Sequence, residues 1–328
     1  GYSVTDYMAV NPDYGTEDDL KRLLDEAHSR DMKVIMDLVI NHTSINHPWF
    51  QAAKSDENSE YRDYYRWVYK TDKKDCNHLL DKSSWGDMVW HQEGDFYYYG
   101  VFGADMPDLN YNNPDVRQAA KDAAGHWLEL GLDGFRMDAA VHIYGAHEFK
   151  QQEDSEAANI NWWNEFAGYC ESINPDVYMV GEVWQGEKGV LENYVQPFDT
   201  KFDFAIQQKI LNCVQKGMAV PGFGDSLSVA IENIQNKYDG VDANYLNGIF
   251  GANHDQDRIA SSVNSLDKAR QIAAVYMTLP GNPYIYYGEE LGMYGSKPDE
   301  MIRTPFLWGG DSTYNTSWEK DDQNAETR

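Results

Sequence analysis

Two carboxylates close short apolar runs at separate places in the chain: Asp138 ends GFRMD, and Glu182 follows VYMVG. Splitting an acetal takes an acid that protonates the departing oxygen and a carboxylate that meets the oxocarbenium-like carbon, so two carboxyls in different protonation states must converge. Asp138 and Glu182 are the natural pair. Arg136 stands two residues before Asp138, and on a strand of period two it points to the same side, where its cation is expected to hold Asp138 ionised and oriented. Glu182 has Val180, Val183 and Trp184 nearby, and apolar surroundings raise a carboxyl pKa and keep the group protonated as an acid. A third carboxylate, Asp255 beside His254, could grip sugar hydroxyls and stabilise developing positive charge. A lone Asp behind a strand is more often a helix cap than a catalyst, but four successive strands ending in Asp, Glu, His or Arg are harder to dismiss as caps.

The elements that must hold these residues are β/α units. Short apolar or β-branched runs alternate with amphipathic stretches, a spacing that predicts a parallel sheet and an α/β fold. Thr16 is the expected N-cap of a helix reaching about residue 30, with Glu17, Asp18 and Asp19 in its first turn and Leu20, Leu23, Leu24 and Ala27 on one face. It leads into KVIMDLVI at 33–40, whose near-continuous apolar character marks a strand buried on both faces. Similar runs stand at 134–141, 177–184, 247–255 and 282–290, each with chemically capable residues at or past its carboxyl end, where parallel α/β folds place their sites. Between about 43 and 104 the periodicity is lost and aromatic rings crowd together, among them Trp49, Tyr61, Tyr64, Trp67, Trp85, Trp90 and the FYYYG run. A loop of that length predicts a small excursion domain. The tail from Gly309 reads as polar loop.

Composition narrows the partners. The 54 acidic and 27 basic residues give a net charge of −27, a field that repels phosphate backbones and anionic lipid headgroups. Nucleic acid and membrane surfaces are therefore excluded as expected partners. Neutral polyhydroxy ligands are indifferent to the field and are bound by aromatic faces and carboxylates, which are plentiful here with 10 Trp and 23 Tyr. Cys76, Cys170 and Cys213 are too few and too scattered for a disulfide framework and read as ordinary thiols. No run of about 18 apolar residues exists to span a membrane, and GYSVTDY at the start has no charged and apolar regions of a signal peptide.

DLVINH at 37–42, GFRMDAAVH at 134–142, GEVW at 181–184 and ANHDQDR at 252–258, with GYSVTDY at 1–7 and MPDLN at 106–110, resemble the ordered motifs of glycoside hydrolase family 13, the α-amylase family. The resemblance implies a (β/α)8 TIM barrel: residues 1–42 as barrel beginning after the second strand, 43–104 as an inserted domain B after the third strand, and 105–328 as the fourth to eighth strands. On that reading the barrel is incomplete at both ends, and the carboxyl-terminal β domain lies outside this chain. The resemblance further implies Asp138 as nucleophile, Glu182 as acid/base, Asp255 as transition-state carboxylate and Arg136 as the group that fixes the nucleophile. Tyr2, His42, His254 and Arg258 would line the substrate site, with Asp37 supporting from below. It implies a structural calcium ion held by Asn41, Asp108 and the backbone carbonyl of His142. Ala139 after the nucleophile goes with α-1,4 cleavage. MPDLN is similar to the neopullulanase side of the family and RTPFLW at 303–308 to the oligo-1,6-glucosidase side. The expectation is an α-amylase acting on starch and malto-oligosaccharides, outside the cell or at its surface. The alternatives are an exo-acting α-glucosidase or oligo-1,6-glucosidase, a cyclomaltodextrinase, a transglycosylating relative, and a non-catalytic sugar-binding homologue.

Overall fold

The computed structural model describes residues 1–71, 79–145, 152–184, 191–217 and 226–308, with 316 and 324, and they fall into two compact units, Gly1–Glu182 and Val183–Arg328. Cys76 and most of the tail from Gly309 lie outside the described residues.

In chain order the first unit carries α1 (Glu17–His28), β1 (Ile35–Leu38), α2 (Pro48–Ser55), β2 (Trp67–Tyr69), β3 (Trp90–Glu93), β4 (Phe96–Tyr99), α3 (Pro114–Leu130), β5 (Gly134–Met137), α4 (Gln152–Ile173) and β6 (Tyr178–Gly181). α1 opens on a capping box: Thr16 Oγ1 accepts from the N–H of Asp19, and the Asp19 carboxylate accepts from the N–H of Thr16. Its buried stripe is narrower than predicted. Leu24 is buried and Leu20 and Ala27 are half-buried, but Leu23 is 57% exposed, because consecutive helical residues point roughly 100° apart and 23 and 24 cannot both face inward.

β1, β5 and β6 form parallel pairs, with β5 in the middle. All four residues of β5 are buried, as a strand flanked on both sides requires, whereas Ile35 and Met36 of β1 are only half-buried and Asp37 is exposed. The strand expected over 33–40 is therefore shorter, and buried only from Leu38 onward. Asp37 pairs with Arg136, and Met137 pairs with Gly181. That register puts the next residues of the two strands, Asp138 and Glu182, side by side at the carboxyl edge. Gly134 allows the close pairing at the other end, since a Cβ there would stand 1.9 Å from the Tyr178 carbonyl oxygen.

Residues 43–104 contain α2 and an antiparallel sheet in the order β2-β4-β3. Its strands are only three or four residues long and carry aromatic residues on both faces, so the period-two signal is absent from the sequence. Phe50 packs edge-on against Tyr65 at 4.9 Å and Tyr98 at 5.0 Å, and the Arg62 guanidinium lies 3.9 Å over Trp67.

The second unit carries β7 (Thr200–Lys201), α5 (Phe204–Lys216), α6 (Leu227–Asp239), β8 (Gly248–Phe250), α7 (Ile259–Val263), α8 (Leu266–Tyr276), β9 (Asn282–Tyr284) and α9 (Asp299–Ile302). β8 and β9 pair in parallel, and Phe202 bridges Gly248 in the same sense. Asp203 caps α5 through the N–H of Ile206, and Gly217 ends that helix in the left-handed region at φ 66°. Ile206 and Ile210 of α5, Ile249 of β8, and Ile272 and Tyr276 of α8 make its core. No helix among the described residues is long and apolar enough to cross a membrane.

Candidate active site

The first unit gathers three of the predicted carboxylates on one guanidinium. Arg136 Nη1 donates to Asp37 Oδ1 at 2.7 Å and to Asp138 Oδ1, while Nη2 pairs with Glu182 Oε1 at 2.7 Å. Asp138 and Glu182 are 6% and 7% exposed. Two carboxylates bonded to the two ends of one guanidinium are close neighbours, which retention requires, where the carboxyls stand roughly 5–5.5 Å apart. Tyr2 joins through its hydroxyl, which donates to Asp37 Oδ2 at 2.6 Å.

The backbone fixes both carboxylates. Glu182 N–H donates to Met137 O at 3.0 Å, and Ala140 N–H donates to Glu182 O at 3.2 Å. Ala139 sits at φ 48°, in the left-handed region that side chains disfavour, and so aims its N–H at Glu182 Oε2 at 3.1 Å. Helix α4 holds this turn from behind: Trp163 Nε1 donates to Ala140 O at 2.8 Å, and Asn159 bonds Val141 O and the N–H of Tyr144.

Burial pushes Asp138 up, to about 7, against the lowering pull of Arg136 and with Glu182 and Asp37 adding to the rise. Arg136, expected to hold Asp138 ionised and oriented, does orient it and does pull it down, but desolvation outweighs a cation shared among three carboxylates. Arg136 is itself held above its ordinary range: burial lowers it, but Glu182, Asp37 and Asp138 more than offset that. The surroundings of Glu182 differ from the apolar setting expected. Val180 and Val183 are buried, yet the carboxylate faces Arg136 and the Ala139 N–H. Trp184 instead stacks on Phe204 within the second unit, with ring centroids 4.6 Å apart and planes 7° apart.

His42 is 2% exposed, and its Nε2 lies 2.9 Å from Tyr2 O, so direct contact with a sugar would require that bond to be exchanged. Burial lowers it to about 4, so the ring is neutral at ordinary pH.

In the second unit Asp255 and His254 meet in the turn after β8, with His254 Nε2 3.1 Å from Asp255 Oδ2. The cation that serves Asp255 is Arg303, whose Nη2 donates to Asp255 Oδ1 at 2.7 Å. Arg258, expected to line the substrate site, is placed elsewhere. Its side chain is fully buried, packed at 4.6 and 4.8 Å on the Tyr286 and Tyr287 rings, and bonded through Nη1 to Tyr287 O at 2.6 Å, so it buttresses the loop after β9 and presents nothing to a ligand.

The sequence matches the family described as "Alpha amylase, catalytic domain" over residues 1–328. The chain belongs to the α-amylase family. It is similar to "Alpha-amylase 3" of Dictyoglomus thermophilum, with 43% identity over 323 residues covering 97% of this chain and 59% of that protein. It is also similar to a "4-alpha-glucanotransferase" of Thermotoga neapolitana, 35% identical over 94% of this chain and 64% of the relative. Among solved structures, the α-amylase from H. orenii superposes with a TM-score of 0.84 at 41% identity, covering 99% of this chain and 64% of that one. The chain thus spans 59% and 64% of the length of these two curated relatives. Its fold class is the (β/α)8 barrel of the α-amylase family, of which β1, β5 and β6 are consecutive strands.

The α-amylase resemblance also named calcium ligands. His42 and Asp108 form an antiparallel bridge and Leu109 N–H donates to Asn41 O at 2.9 Å, so the segments carrying Asn41 and Asp108 run side by side, and the Phe102 ring packs against both His42 and His142 with centroids 5.3 Å apart. Asn41 is buried, and its Oδ1 has no hydrogen-bond partner among the described residues. An amide oxygen, a carboxylate and a backbone carbonyl are hard donors of the kind calcium takes, and an orphaned buried acceptor fits a cation. Among the described residues no cluster of three or more His, Cys, Asp or Glu could hold a metal ion.

Three contributors escaped the sequence reading: Arg303, the Ala139 N–H, and the pair Asn159 and Trp163. Arg303 lies 48 positions from Asp255, and no local pattern links them. The positive φ at 139 had a single readable sign, the small side chain there.

Proposed function

We propose that the protein is a retaining glycoside hydrolase of starch and malto-oligosaccharides that cleaves α-1,4 bonds, an α-amylase. The observation that carries this reading is the single guanidinium of Arg136 holding both Asp138 and Glu182. Glu182 protonates the glycosidic oxygen while Asp138 Oδ attacks the anomeric carbon, so the C–O bond to the leaving sugar breaks as a glycosyl ester forms on Asp138. Water then gives a proton to Glu182 and displaces Asp138, restoring both groups and the anomeric configuration. The step needs one proton on the pair and one negative charge, and a buried pair sharing one cation favours that state. Asp255 is the carboxylate that stabilises the positive charge growing on the sugar.

Asp138→Asn and Glu182→Gln in the full-length protein should each lower kcat on maltotetraose by roughly 10³-fold or more while oligosaccharide binding stays measurable. Near-normal turnover in either variant removes the assignment.

Transglycosylation is the second reading, favoured by the relative named as a 4-alpha-glucanotransferase, because the same glycosyl ester can be taken by a sugar hydroxyl in place of water. A product time course on soluble starch and maltotriose separates the two: hydrolysis releases reducing ends continuously, whereas transfer yields longer chains with no net gain. Residues 43–104 are the inserted domain on this reading, tied to the barrel by calcium at Asn41, Asp108 and the His142 carbonyl. The ion would cross-link the turn after β1 with the segments at 108 and 142 and supply rigidity only.

A further inference from the structure

Asp255 sits beyond the end of β8, where no strand pairing fixes it, yet a transition-state carboxylate must be oriented before substrate arrives. Arg303, the residue that ends α9, supplies the orientation. Its Nη2 donates to Asp255 Oδ1 at 2.7 Å, and its Nε donates to His254 O at 2.9 Å. One planar fork therefore grips the carboxylate and the peptide just before it, fixing side chain and backbone together. The fork is in turn set by Asp299, whose Oδ2 lies 2.9 Å from Nη2 and whose other oxygen is held by Lys297. The Asp255 N–H is tied to Asn253 Oδ1 at 3.0 Å. Arg303 and Asp255 keep 32% and 29% of their side chains exposed, so the pair stands at a surface that a ligand can reach.

We propose that Arg303 is a positioning residue for Asp255, with Asp299 setting its fork; this rests on the reading of Asp255 as the transition-state carboxylate. Lysine at 303 keeps the charge but is a point donor that cannot hold both the carboxylate and the His254 carbonyl in one plane.

The test uses Arg303→Lys, Arg303→Ala and Asp255→Asn in the full-length protein, with maltotetraose as substrate. Both Arg303 variants should lose roughly 10- to 100-fold in kcat, with KM moving by less than about threefold, since misorientation of a catalytic group costs the transition state more than the ground state. Arg303→Ala added to Asp255→Asn should cost nothing further, and millimolar guanidinium should restore part of the kcat of Arg303→Ala but none of that of Asp255→Asn. Arg303→Lys carries the test should the alanine variant fail to fold. Wild-type kcat in Arg303→Lys beside an inactive Asp255→Asn overturns the positioning role and leaves Asp255 in place. Losses that add in the double variant overturn it too. Near-normal turnover in Asp255→Asn strikes the underlying reading instead.

Discussion

Arg136 carries one positive charge and faces three carboxylates, Asp37, Asp138 and Glu182, so two negative charges stay unbalanced if all are ionised. Holding a proton relieves that excess, and burial raises Asp138 from 3.8 to about 7. The sign for stability follows. Between those two values the folded protein keeps a proton the unfolded chain has lost, so this contribution is complete below about pH 4 and fades as pH rises towards 7. His42 and His142 run the opposite way: burial lowers each from 6.5 to about 4, so their contribution is complete above 6.5 and is lost as pH falls to 4. On the proposed mechanism the same charge excess governs turnover. The kcat/KM profile should break on its alkaline side near pH 7, where the pair gives up its proton. Asp37→Asn removes a negative charge that helps retain the proton, so the break should move to lower pH whatever happens to the height of the profile. An unmoved break would mean that Asp37 does not act on the pair through its charge.

Strand register turns separate motifs into one site. Met137 beside Gly181 makes Asp138 and Glu182 neighbours across 44 positions of sequence, and that register depends on Gly134, whose missing side chain lets the Tyr178 backbone pass. Gly134→Ala should destabilise the protein by about 1–3 kcal/mol in denaturant titration and depress activity in parallel, because a Cβ 1.9 Å from a carbonyl oxygen must push β5 and β6 apart. Wild-type stability in that variant would show that the two strands can part at Gly134 without cost. What was readable in advance were features with local causes: the Thr16 cap, the runs that became β5 and β6, and carboxylates placed one residue past strand ends. What stayed hidden depended on placement. Leu23 fits the apolar pattern of α1 but points off its buried face, and Arg258 sits in a motif beside Asp255 while its side chain turns inward under Tyr286 and Tyr287. Arg303 acts through a contact that no spacing rule anticipates.

A net charge of −27 on 328 residues is a whole-molecule property with two separable effects. Self-repulsion among exposed carboxylates opposes compactness and is screened over about 10 Å at 0.1 M salt, so sodium chloride should raise the melting temperature. The substrate proposed above is a neutral glucan with no charge to steer, so kcat/KM on soluble starch should stay nearly flat over the same salt range. Calcium can act by either route, as one more screening cation or as a ligand of Asn41, Asp108 and the His142 carbonyl, and the two can be told apart. Site binding adds about 2.7 kcal/mol when free calcium is a hundredfold above Kd, an increment that persists in high salt and disappears on chelation. Screening adds nothing once sodium chloride has saturated it. Asn41→Leu removes the orphaned Oδ1 while changing no charge, so it should abolish the calcium increment and leave the sodium chloride response intact. Thermal melts of both proteins in 0.5 M sodium chloride, with calcium or with chelator, read this directly, and equal calcium increments in the two would exclude Asn41 as a ligand.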